Sequence, residues 1–544
     1  MMGVWLFPSV LAGQVFDLNP SILARNYAVS GQFILTDEIG RFIAPHLLGD
    51  IGVISSADGR LSSVVIAWFS TWIDWSDLML WSVVSAGSIA LALIVWWLFV
   101  SKVFDRRIAW ISTILMAFMP LYWGQAVLLD NYNLAFIFLF SSFAAFAYLQ
   151  ERSRMLALLC SGVLFGACAS SKDTFLVFVP WFCIGYYWVH RSQWRTAIAG
   201  IAIFGFASLA VYLAPYIGDI RTLGYPMNQN LATFWPGASD IKEGYYLHAY
   251  PDPYTYFFDR AVYDQFLLTR FTELTQIQQY QQYKNFILFG IGTMSIAAIA
   301  FNGLWLFVGN IPEFFQQEYI GGVVLWLFIL PGFLLLRRDR RVLAMQIVGL
   351  IVSAECVMRF FLHYSRNHLV DYGWALALLA AVGIAAVADM CARNNKHITA
   401  QKVTMFIVIV LVMQLVQANR TIFARRYARP PVNLVMSVSD AINLLPKESV
   451  VALGIGPSQV RQIAQFTTAT VVPFAEDTLD GLLDSTSLGA AFETYGVTHV
   501  YGYSDEVLRR VYFQVGSVEE LSVRIDTAQK KLSPYITWLL HTIR

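Results

Sequence analysis

A few acidic and basic side chains stand beside the long apolar runs of this sequence, and they are its best candidates for chemistry. Asp17 follows the first apolar run, Asp130 follows the third apolar helix, and Lys172 lies with Asp173 in the short turn S-S-K-D-T-F. Charges at membrane depth are costly and mark candidate functional sites. The acids could serve as bases, and the lysine could neutralise a phosphate. The structural alternatives are helix capping by Asp17 and Asp130 and a snorkelling surface position for Lys172.

A second group of candidates lies late in the apolar part of the chain. Glu355 and Arg359 are four residues apart on one helix face, and H-Y-S-R-N-H follows with His363 and Arg366. The planar guanidinium group suits phosphate, so two arginines flanked by histidines favour an anion site. The histidines could also ligate a metal with Glu355, although their spacing matches no specific signature. A Glu–Arg pair alone is often structural.

Two further segments carry groups whose role stays open. Asp37 and Glu38 are adjacent in the polar segment 17–77. They could bind a metal or act as a base, but a solvated loop is the interpretation we favour. The segment 218–283 contains Y-Y-L-H-A-Y-P-D-P-Y-T-Y-F-F. Its aromatic rings suit sugars or lipid headgroups, and they suit interfacial anchoring equally well.

The composition limits the class of protein that these residues can belong to. The 544 residues are 57% hydrophobic and 13% charged, with a mean hydropathy of +0.56. Because a soluble domain carries about 25% charged residues, a water-soluble globule, a disordered chain and a coiled coil are excluded. The net charge of +1 gives no indication of a nucleic-acid partner. The five cysteines have no metal-ligand spacing and are interpreted as small apolar residues.

The apolar runs predict an all-α polytopic membrane protein that positions the candidate residues at helix ends. We expect eleven spans and one re-entrant or interfacial segment at 284–308. The expected spans are 1–16, 78–101, 108–127, 131–149, 155–170, 174–189, 196–217, 321–336, 342–362, 369–389 and 402–418. Basic residues in short loops, such as Arg106 and Arg337, place those loops in the cytoplasm. The segments 17–77 and 218–283 and the C-terminus then face outward.

The composition changes near residue 430, which predicts two domains. Residues 1–429 would form the membrane module, and residues 430–544 a small extracytoplasmic α/β domain. Within the second domain SVVALGIGP, ATVVPF and VTHVYGY read as strands, and SQVRQIAQF and LGAAFETYG read as helices. Gly454 and Gly456 follow a strand as in a nucleotide loop, but a third glycine is missing, so a tight turn is favoured.

Four short motifs together form a recognisable set. They are Asp17 with Ala24-Arg25 and Gly31, the spacing from Pro120 to Asp130, the segment ending at Lys172, and R-N-H-L-V-D-Y-G-W-A-L-A-L-L-A-A. The set resembles the GT-C superfamily of polyprenyl-phosphate-sugar glycosyltransferases, such as protein O-mannosyltransferases and aminoarabinose–lipid A transferases. The resemblance spans residues 1 to about 390. The chain departs from the family at Leu18, where a second acid is usual, and near Gly59-Arg60, where prolines are usual.

The resemblance implies a reaction and assigns roles to the candidate residues. One sugar would pass, with inversion, from a polyprenyl-phosphate donor to a lipid, glycan or protein acceptor at the outer face of the inner (plasma) membrane. Asp17 would be the base, and Asp130 would orient the acceptor or share that role. The other assignments are Lys172, Arg359, His363 and Arg366 at the donor phosphate and Asp37, Glu38 and Glu355 as secondary acids. No residue is assigned to a metal, and no cofactor is assigned, although a divalent metal is compatible with the reaction.

Two other classes of protein compete with the transferase. A lipid or sugar transporter or flippase would place ionisable residues near the bilayer midplane or use broken helices in repeated halves. The chain instead places its charges at outer helix ends and has no obvious repeat. A non-catalytic scaffold would use the outer domain for binding. Convergence of Asp17, Asp130 and Arg366 on one outer cavity would distinguish the transferase from both alternatives.

Overall fold

The structure is a computed structural model, and it describes part of the chain. The described residues are 60–73, 78–125, 131–223, 322–361, 370–394, 397–427, 433–446, 448–454, 463, 467, 469–473, 496–504, 509 and 518–521. They fall into two compact units. One unit contains the helices between Ser85 and Phe423, and the other contains a short N-terminal helix and a small sheet.

The structure describes fourteen α-helices, and those of the first unit form an apolar bundle. The helices in chain order are α1 Arg60–Ser70, α2 Leu78–Val103, α3 Arg106–Phe118, α4 Pro120–Gln125, α5 Asn131–Leu149, α6 Arg154–Ser171, α7 Val179–His190, α8 Trp194–Leu213, α9 Ile217–Leu223, α10 Val323–Asp339, α11 Arg341–Phe361, α12 Val370–Asn394, α13 Ala400–Tyr427 and α14 Asn433–Asn443. Short 3-10 turns at Asp173–Phe178, Arg191–Gln193 and Ala214–Tyr216 join or extend α6, α7 and α8. Helix α1 belongs to the second unit, and so does α14.

Six apolar helical stretches in the described part are long enough to cross a membrane. They are Val83–Val103, Asn131–Leu149, Arg154–Ser171, Asp173–Tyr216, Val370–Asn394 and Ala400–Asn419. Helices satisfy every backbone hydrogen bond within the segment, which is what a lipid environment requires. The chain is therefore a polytopic helical membrane protein. The total of eleven spans stays a prediction, because the expected span at 1–16 and the segment at 284–308 lie outside the described residues.

All ten expected spans that fall in the described part contain helix, but one of them was predicted wrongly as continuous. The expected span 108–127 is broken into α3 and α4 at Met119, whose backbone is extended with φ −63° and ψ 130°. Proline disfavours the helical conformation of the residue before it, so Pro120 ends α3 at Phe118 and begins α4. The break ends α3 close to the site described below.

Small residues allow the helices of the bundle to approach each other closely. A Cβ at Gly332 of α10 would collide with the Leu379 carbonyl of α12, and one at Gly383 of α12 with the Phe328 carbonyl of α10. Glycines in α6 contact the backbone of α8 in the same way, at Gly162 and Gly166. Close backbone approach of this kind is how helices associate in lipid, where burial of apolar surface gives little driving force.

Helix α12 lies at the centre of the bundle. Almost every residue from Val370 to Ala381 is buried. Trp374 of this helix contacts Trp96 of α2 and Phe143 of α5, with ring centroids 5.6 and 5.5 Å apart. This aromatic core fixes the first turn of α12 relative to α2 and α5. That turn carries one of the buried acids of the site.

The second unit contains a four-stranded parallel sheet. Its strands are β1 Val450–Leu453, β2 Thr470–Pro473, β3 His499–Tyr501 and β4 Glu519–Glu520, in the order β2-β1-β3-β4. Strands β1, β2 and β3 lie in the three segments that the sequence predicts as strands, and β1 is fully buried. The two segments predicted as helices lie largely outside the described residues. The domain boundary at 429/430 stays a prediction, as does the extracytoplasmic location of the domain.

Candidate functional site

The basic loops of the bundle meet at one of its ends. Lys102 in the last turn of α2 forms a 2.7 Å ion pair with Glu151 in the α5–α6 loop. Arg107 at the start of α3 binds Asp389 of α12, and Arg340 before α11 lies 4.6 Å from the ring centroid of Phe104. These contacts define what we call the basic end. Because successive helices run in opposite directions, the other helix termini gather at the opposite end, which we call the distal end.

The distal end consists of residues at or next to the termini of five helices. It comprises Tyr122 of α4, Asn131–Asn133 at the start of α5, Ser170–Thr174 after α6, Tyr212–Tyr216 after α8 and Val370–Trp374 at the start of α12. Three ionisable side chains are buried there: Lys172 and Asp173 are each 8% exposed, and Asp371 is 2% exposed. Burying a charged side chain in a membrane protein costs free energy. Such residues are therefore candidates for binding or catalysis.

Lys172 is held by the end of α6. Its backbone is extended, which stops the helix, while its N–H still donates to the Cys168 carbonyl at 2.9 Å. The side chain turns inward, and the ammonium lies 4.9 Å from the centroid of the Tyr132 ring. A cation over a phenol face is stabilised by the ring quadrupole. Because Lys172 is 8% exposed and contacts the Tyr132 ring, the snorkelling surface position is wrong for it.

Asp173 follows directly and begins the 3-10 turn Asp173–Phe178. An acid in the first turn complements the partial positive charge of the helical N-terminus. Its carboxylate lies within electrostatic range of the Tyr212 phenol, and the ring of Tyr212 contacts that of Tyr216 at 6.3 Å. The turn after α6 is thereby linked to the end of α8.

Asp371 approaches the same region from α12. Its backbone carbonyl accepts a 2.7 Å hydrogen bond from the Trp374 indole, which fixes the first helical turn. Tyr122 donates its hydroxyl hydrogen to the Val370 carbonyl at 3.1 Å. The Asp371 carboxylate lies within electrostatic range of the Tyr122 phenol and the Cys168 thiol. Cys168 is one helical turn before Lys172, so Asp371 and Lys172 belong to one cluster.

Aromatic rings of the apolar core lie next to the distal turns. Phe175 contacts Tyr132 at 6.2 Å and Phe178 at 5.4 Å, and Phe178 contacts Trp374 at 6.1 Å. Charges next to such an apolar layer experience a low dielectric, where electrostatic interactions are stronger than in water. The arrangement can bind an anion at Lys172 and can present carboxylates to a neighbouring proton donor.

The structure describes the candidate residues unequally. Lys172 is described in full, whereas Glu355 and Arg359 are described only as residues of helix α11. The remaining candidates lie outside the described residues; they are Asp17, Asp37, Glu38, Asp130, His363 and Arg366. Their convergence on one cavity with Lys172 therefore stays a prediction. Among the described residues, no three His, Cys, Asp or Glu side chains form a group that could hold a metal ion.

Two members of the distal end were missed by sequence reasoning. Asp371 stands inside a motif that was used for the family resemblance, and a lone acid in an apolar helix was the signal that could have found it. Asn131 is a neutral amide next to Asp130, and a hydropathy pattern does not distinguish it as a site residue. Only its burial, with 0% of the residue exposed, makes it noticeable.

No family model and no curated protein sequence matches the chain. Solved structures do match. AglB, the archaeal oligosaccharyltransferase from Archaeoglobus fulgidus, in complex with an inhibitory peptide and a dolichol-phosphate, superposes with a TM-score of 0.54 at 11% identity, over 90% of this chain and 65% of that chain. An Archaeoglobus fulgidus oligosaccharyltransferase with Zn and sulfate gives 0.53 at 12% identity, over 85% and 59%.

ArnT from Cupriavidus metallidurans, bound to undecaprenyl phosphate, is also similar, with a TM-score of 0.49 at 11% identity over 89% of this chain and 86% of that chain. The archaeal oligosaccharyltransferases are members of the GT-C superfamily. The chain shares their fold, as the motifs of its sequence predict. It spans 65% of the length of AglB.

Proposed function

We propose that the chain is a membrane glycosyltransferase that moves a sugar from a polyprenyl-phosphate donor to an acceptor, with inversion at the anomeric carbon. The observation that carries this proposal is the buried cluster of Lys172, Asp173 and Asp371 at the distal end of a GT-C-type bundle. The AglB structure with the same fold contains a dolichol-phosphate and an inhibitory peptide. A lipid phosphate and an acceptor are the two ligands that the proposed reaction requires.

Lys172 would act on the leaving group. During transfer, the bond between the anomeric carbon and the phosphate oxygen breaks, and its electron pair stays on the phosphate. A preformed cation in a water-poor site stabilises this developing charge without reorganisation. The ammonium of Lys172 is buried and already oriented over Tyr132, which suits this role. Arg359, His363 and Arg366 are proposed to bind the same phosphate.

The acceptor needs a base on the opposite face of the sugar. Its hydroxyl or amine forms the new bond to the anomeric carbon and gives its proton to a carboxylate. We propose Asp17 for this role, with Asp130 orienting the acceptor and with Asp37, Glu38 and Glu355 as secondary acids. Asp371 is a second candidate for the base, because it is the most buried carboxylate among the described residues and belongs to the Lys172 cluster.

The positions of the charges also favour a site outside the cytoplasm. Lys102, Arg107 and Arg340 mark the basic end, and an excess of Lys and Arg in short loops is typical of the cytoplasmic side. The distal end would then face the periplasm or the exterior. Within the described part of the chain, the buried charged side chains stand at helix ends rather than at midplane. This distribution supports a transferase over a transporter.

The proposal is tested with the full chain in lipid nanodiscs and a panel of labelled undecaprenyl-phosphate sugars, with and without EDTA. We expect one donor to be consumed and its sugar to appear on an added acceptor. Asp17→Asn should abolish transfer while the protein stays folded, and Asp371→Asn should retain part of it. Retained turnover in Asp17→Asn together with loss in Asp371→Asn would assign the base to Asp371. Transport of an intact donor without cleavage would exclude the transferase.

A further inference from the structure

Three polar side chains of the distal end are buried with hydrogen-bonding atoms that have no partner within the described protein. Both the Oδ1 and the Nδ2 atoms of Asn131 are in this state, as are the hydroxyls of Ser170 and Thr174. Asn131 directly precedes Tyr132, whose ring holds the Lys172 ammonium. Ser170 and Thr174 each lie two residues from Lys172 in the sequence. The unsatisfied atoms therefore belong to residues that are close in the sequence either to Lys172 or to the ring that contacts it.

Other buried asparagines of the same bundle use their amides within the fold. Asn133 donates from Nδ2 to the Ser85 hydroxyl at 2.7 Å, and Asn419 donates from Nδ2 to the Phe118 carbonyl at 2.7 Å. An amide buried without such a bond lowers the stability of the folded state. Asn131 is therefore the one of these three asparagines whose Nδ2 has no hydrogen-bond partner among the described residues.

The chemistry of the unsatisfied atoms restricts that ligand. The amide of Asn131 offers one acceptor and one donor group, and both are unused within the described part of the chain. An ionised phosphate can only accept hydrogen bonds, so it would leave Oδ1 without a donor. Sugar hydroxyls donate and accept at once, and neighbouring hydroxyls can contact both atoms of one amide. The hydroxyls of Ser170 and Thr174 have the same dual capacity.

We propose that Asn131, assisted by Ser170 and Thr174, binds the hydroxyl groups of the transferred sugar and so determines which donor the protein selects. This inference rests on the proposed transferase function and divides the donor between two subsites. Lys172 binds the phosphate, and Asn131 recognises the sugar. An acceptor hydroxyl at Asn131 is the competing occupant, and the experiment below distinguishes the two.

The test compares undecaprenyl phosphate with its glucose, mannose, galactose and aminoarabinose conjugates, binding to the full chain in nanodiscs. The wild type should bind one conjugate about tenfold more tightly than undecaprenyl phosphate itself. Asn131→Leu should reduce that ratio to about one and leave the affinity for undecaprenyl phosphate unchanged. Asn419→Leu is the matched control, because it removes a buried asparagine from the same bundle and should keep the ratio.

Thermal unfolding without ligand supplies a second readout. Since Asn131→Leu removes an unsatisfied buried amide, its midpoint should equal or exceed that of the wild type, whereas Asn419→Leu should lower it. A lower midpoint with an unchanged affinity ratio would make Asn131 structural and overturn the inference. An equal loss of affinity for all the lipids would assign Asn131 to the phosphate, and a change confined to the acceptor KM would assign it to the acceptor.

Failure of the inference and failure of the proposed function give different results. If the wild type binds undecaprenyl phosphate and its conjugates equally well and still transfers sugar, the Asn131 subsite is wrong and the transferase stands. If no undecaprenyl lipid binds to the wild type, both proposals are wrong.

Discussion

The two ends of the helix bundle contain similar kinds of side chains in opposite states. At the basic end, Arg107 donates hydrogen bonds to the Asp389 carboxylate, the Thr404 hydroxyl and the Ala385 carbonyl, at 2.6 to 3.1 Å. At the distal end, the amide of Asn131 and the hydroxyls of Ser170 and Thr174 have no hydrogen-bond partner among the described residues. The guanidinium of Arg107 is used within the fold, whereas the polar atoms of Asn131, Ser170 and Thr174 are not used by the described residues.

This difference distinguishes polar groups that hold helices together from polar groups that could bind a ligand. Arg107 joins α3 to α12 and α13, so its charge is used to hold helices together. Away from the distal end, the described bundle also contains a buried polar atom without a hydrogen-bond partner on each of Trp97, Thr113 and Tyr186, which lie on three different helices. Among the described residues with such an atom, those at the distal end are the ones that adjoin, in the sequence, a buried lysine or the ring that contacts it. We therefore take a buried charge as a sign of a site when nearby buried polar atoms also have no hydrogen-bond partner among the described residues.

The largest effect should come from removing the distal cation. Lys172→Ala should lower the rate of sugar transfer by about 10²–10³-fold, because the leaving phosphate loses a preoriented positive charge. Lys172→Arg keeps the charge and should retain a measurable part of the rate. The measurement is single-turnover transfer from the preferred donor, normalised to folded protein. Equal loss in both variants would indicate that packing over Tyr132, rather than charge, is what Lys172 contributes.

Removing the basic-end cation should change stability instead of chemistry. Arg107→Ala should reduce the free energy of unfolding by about 2 kcal/mol, since several charge-assisted hydrogen bonds are lost. Asp389 is 49% exposed, so water can replace part of what Arg107 supplied. Thermal unfolding should show a lower midpoint, and transfer per folded molecule should match the wild type. A loss of turnover at unchanged stability would break the distinction between the two ends.

The sequence was informative wherever a charge or a long apolar run stands out. The helical character of the described apolar runs could be predicted because lipid excludes irregular backbone. Lys172 was a candidate because charge at membrane depth is costly, and its role stays a prediction. The break at Met119 was not predicted, although Pro120 disfavours a helical conformation of the residue before it. The pairing of Asp173 with Tyr212 could not be predicted, since it joins the ends of α6 and α8 through tertiary packing.

Neutral polar residues were the hardest part of the site to find. An asparagine in an apolar segment has the same appearance in the sequence whether its amide is used, as in Asn419, or unused, as in Asn131. Their difference depends on which carbonyl or hydroxyl lies opposite in the folded bundle. Asp371 was not predicted as a site residue, although a lone acid in an apolar segment is visible in the sequence.

A smaller effect should sharpen the comparison at the distal end. Ser170→Ala removes a buried hydroxyl that has no partner in the described structure, so the stability of the ligand-free protein should stay the same or rise slightly. Affinity for the preferred donor should fall by about threefold, because one hydrogen bond to the sugar is lost. Ser142→Ala is the control, since Ser142 bonds to the Ser161 carbonyl at 2.9 Å within the bundle. It should lower stability and leave donor affinity unchanged.

The smallest effect should come from the ion pair at the surface of the basic end. Lys102 and Glu151 approach to 2.7 Å, yet the Glu151 side chain is 66% exposed and water competes for it. Lys102→Ala should therefore change the free energy of unfolding by about 0.5 kcal/mol or less and leave transfer unchanged. Thermal unfolding at low and high salt measures this difference, which should vanish at high salt. The contrast with Lys172→Ala is the sharpest available, because both variants remove one lysine from a helix end. If the two variants lost transfer to a similar extent, the position of a lysine within the bundle would not determine its role. That result would contradict the assignment of the site to the distal end.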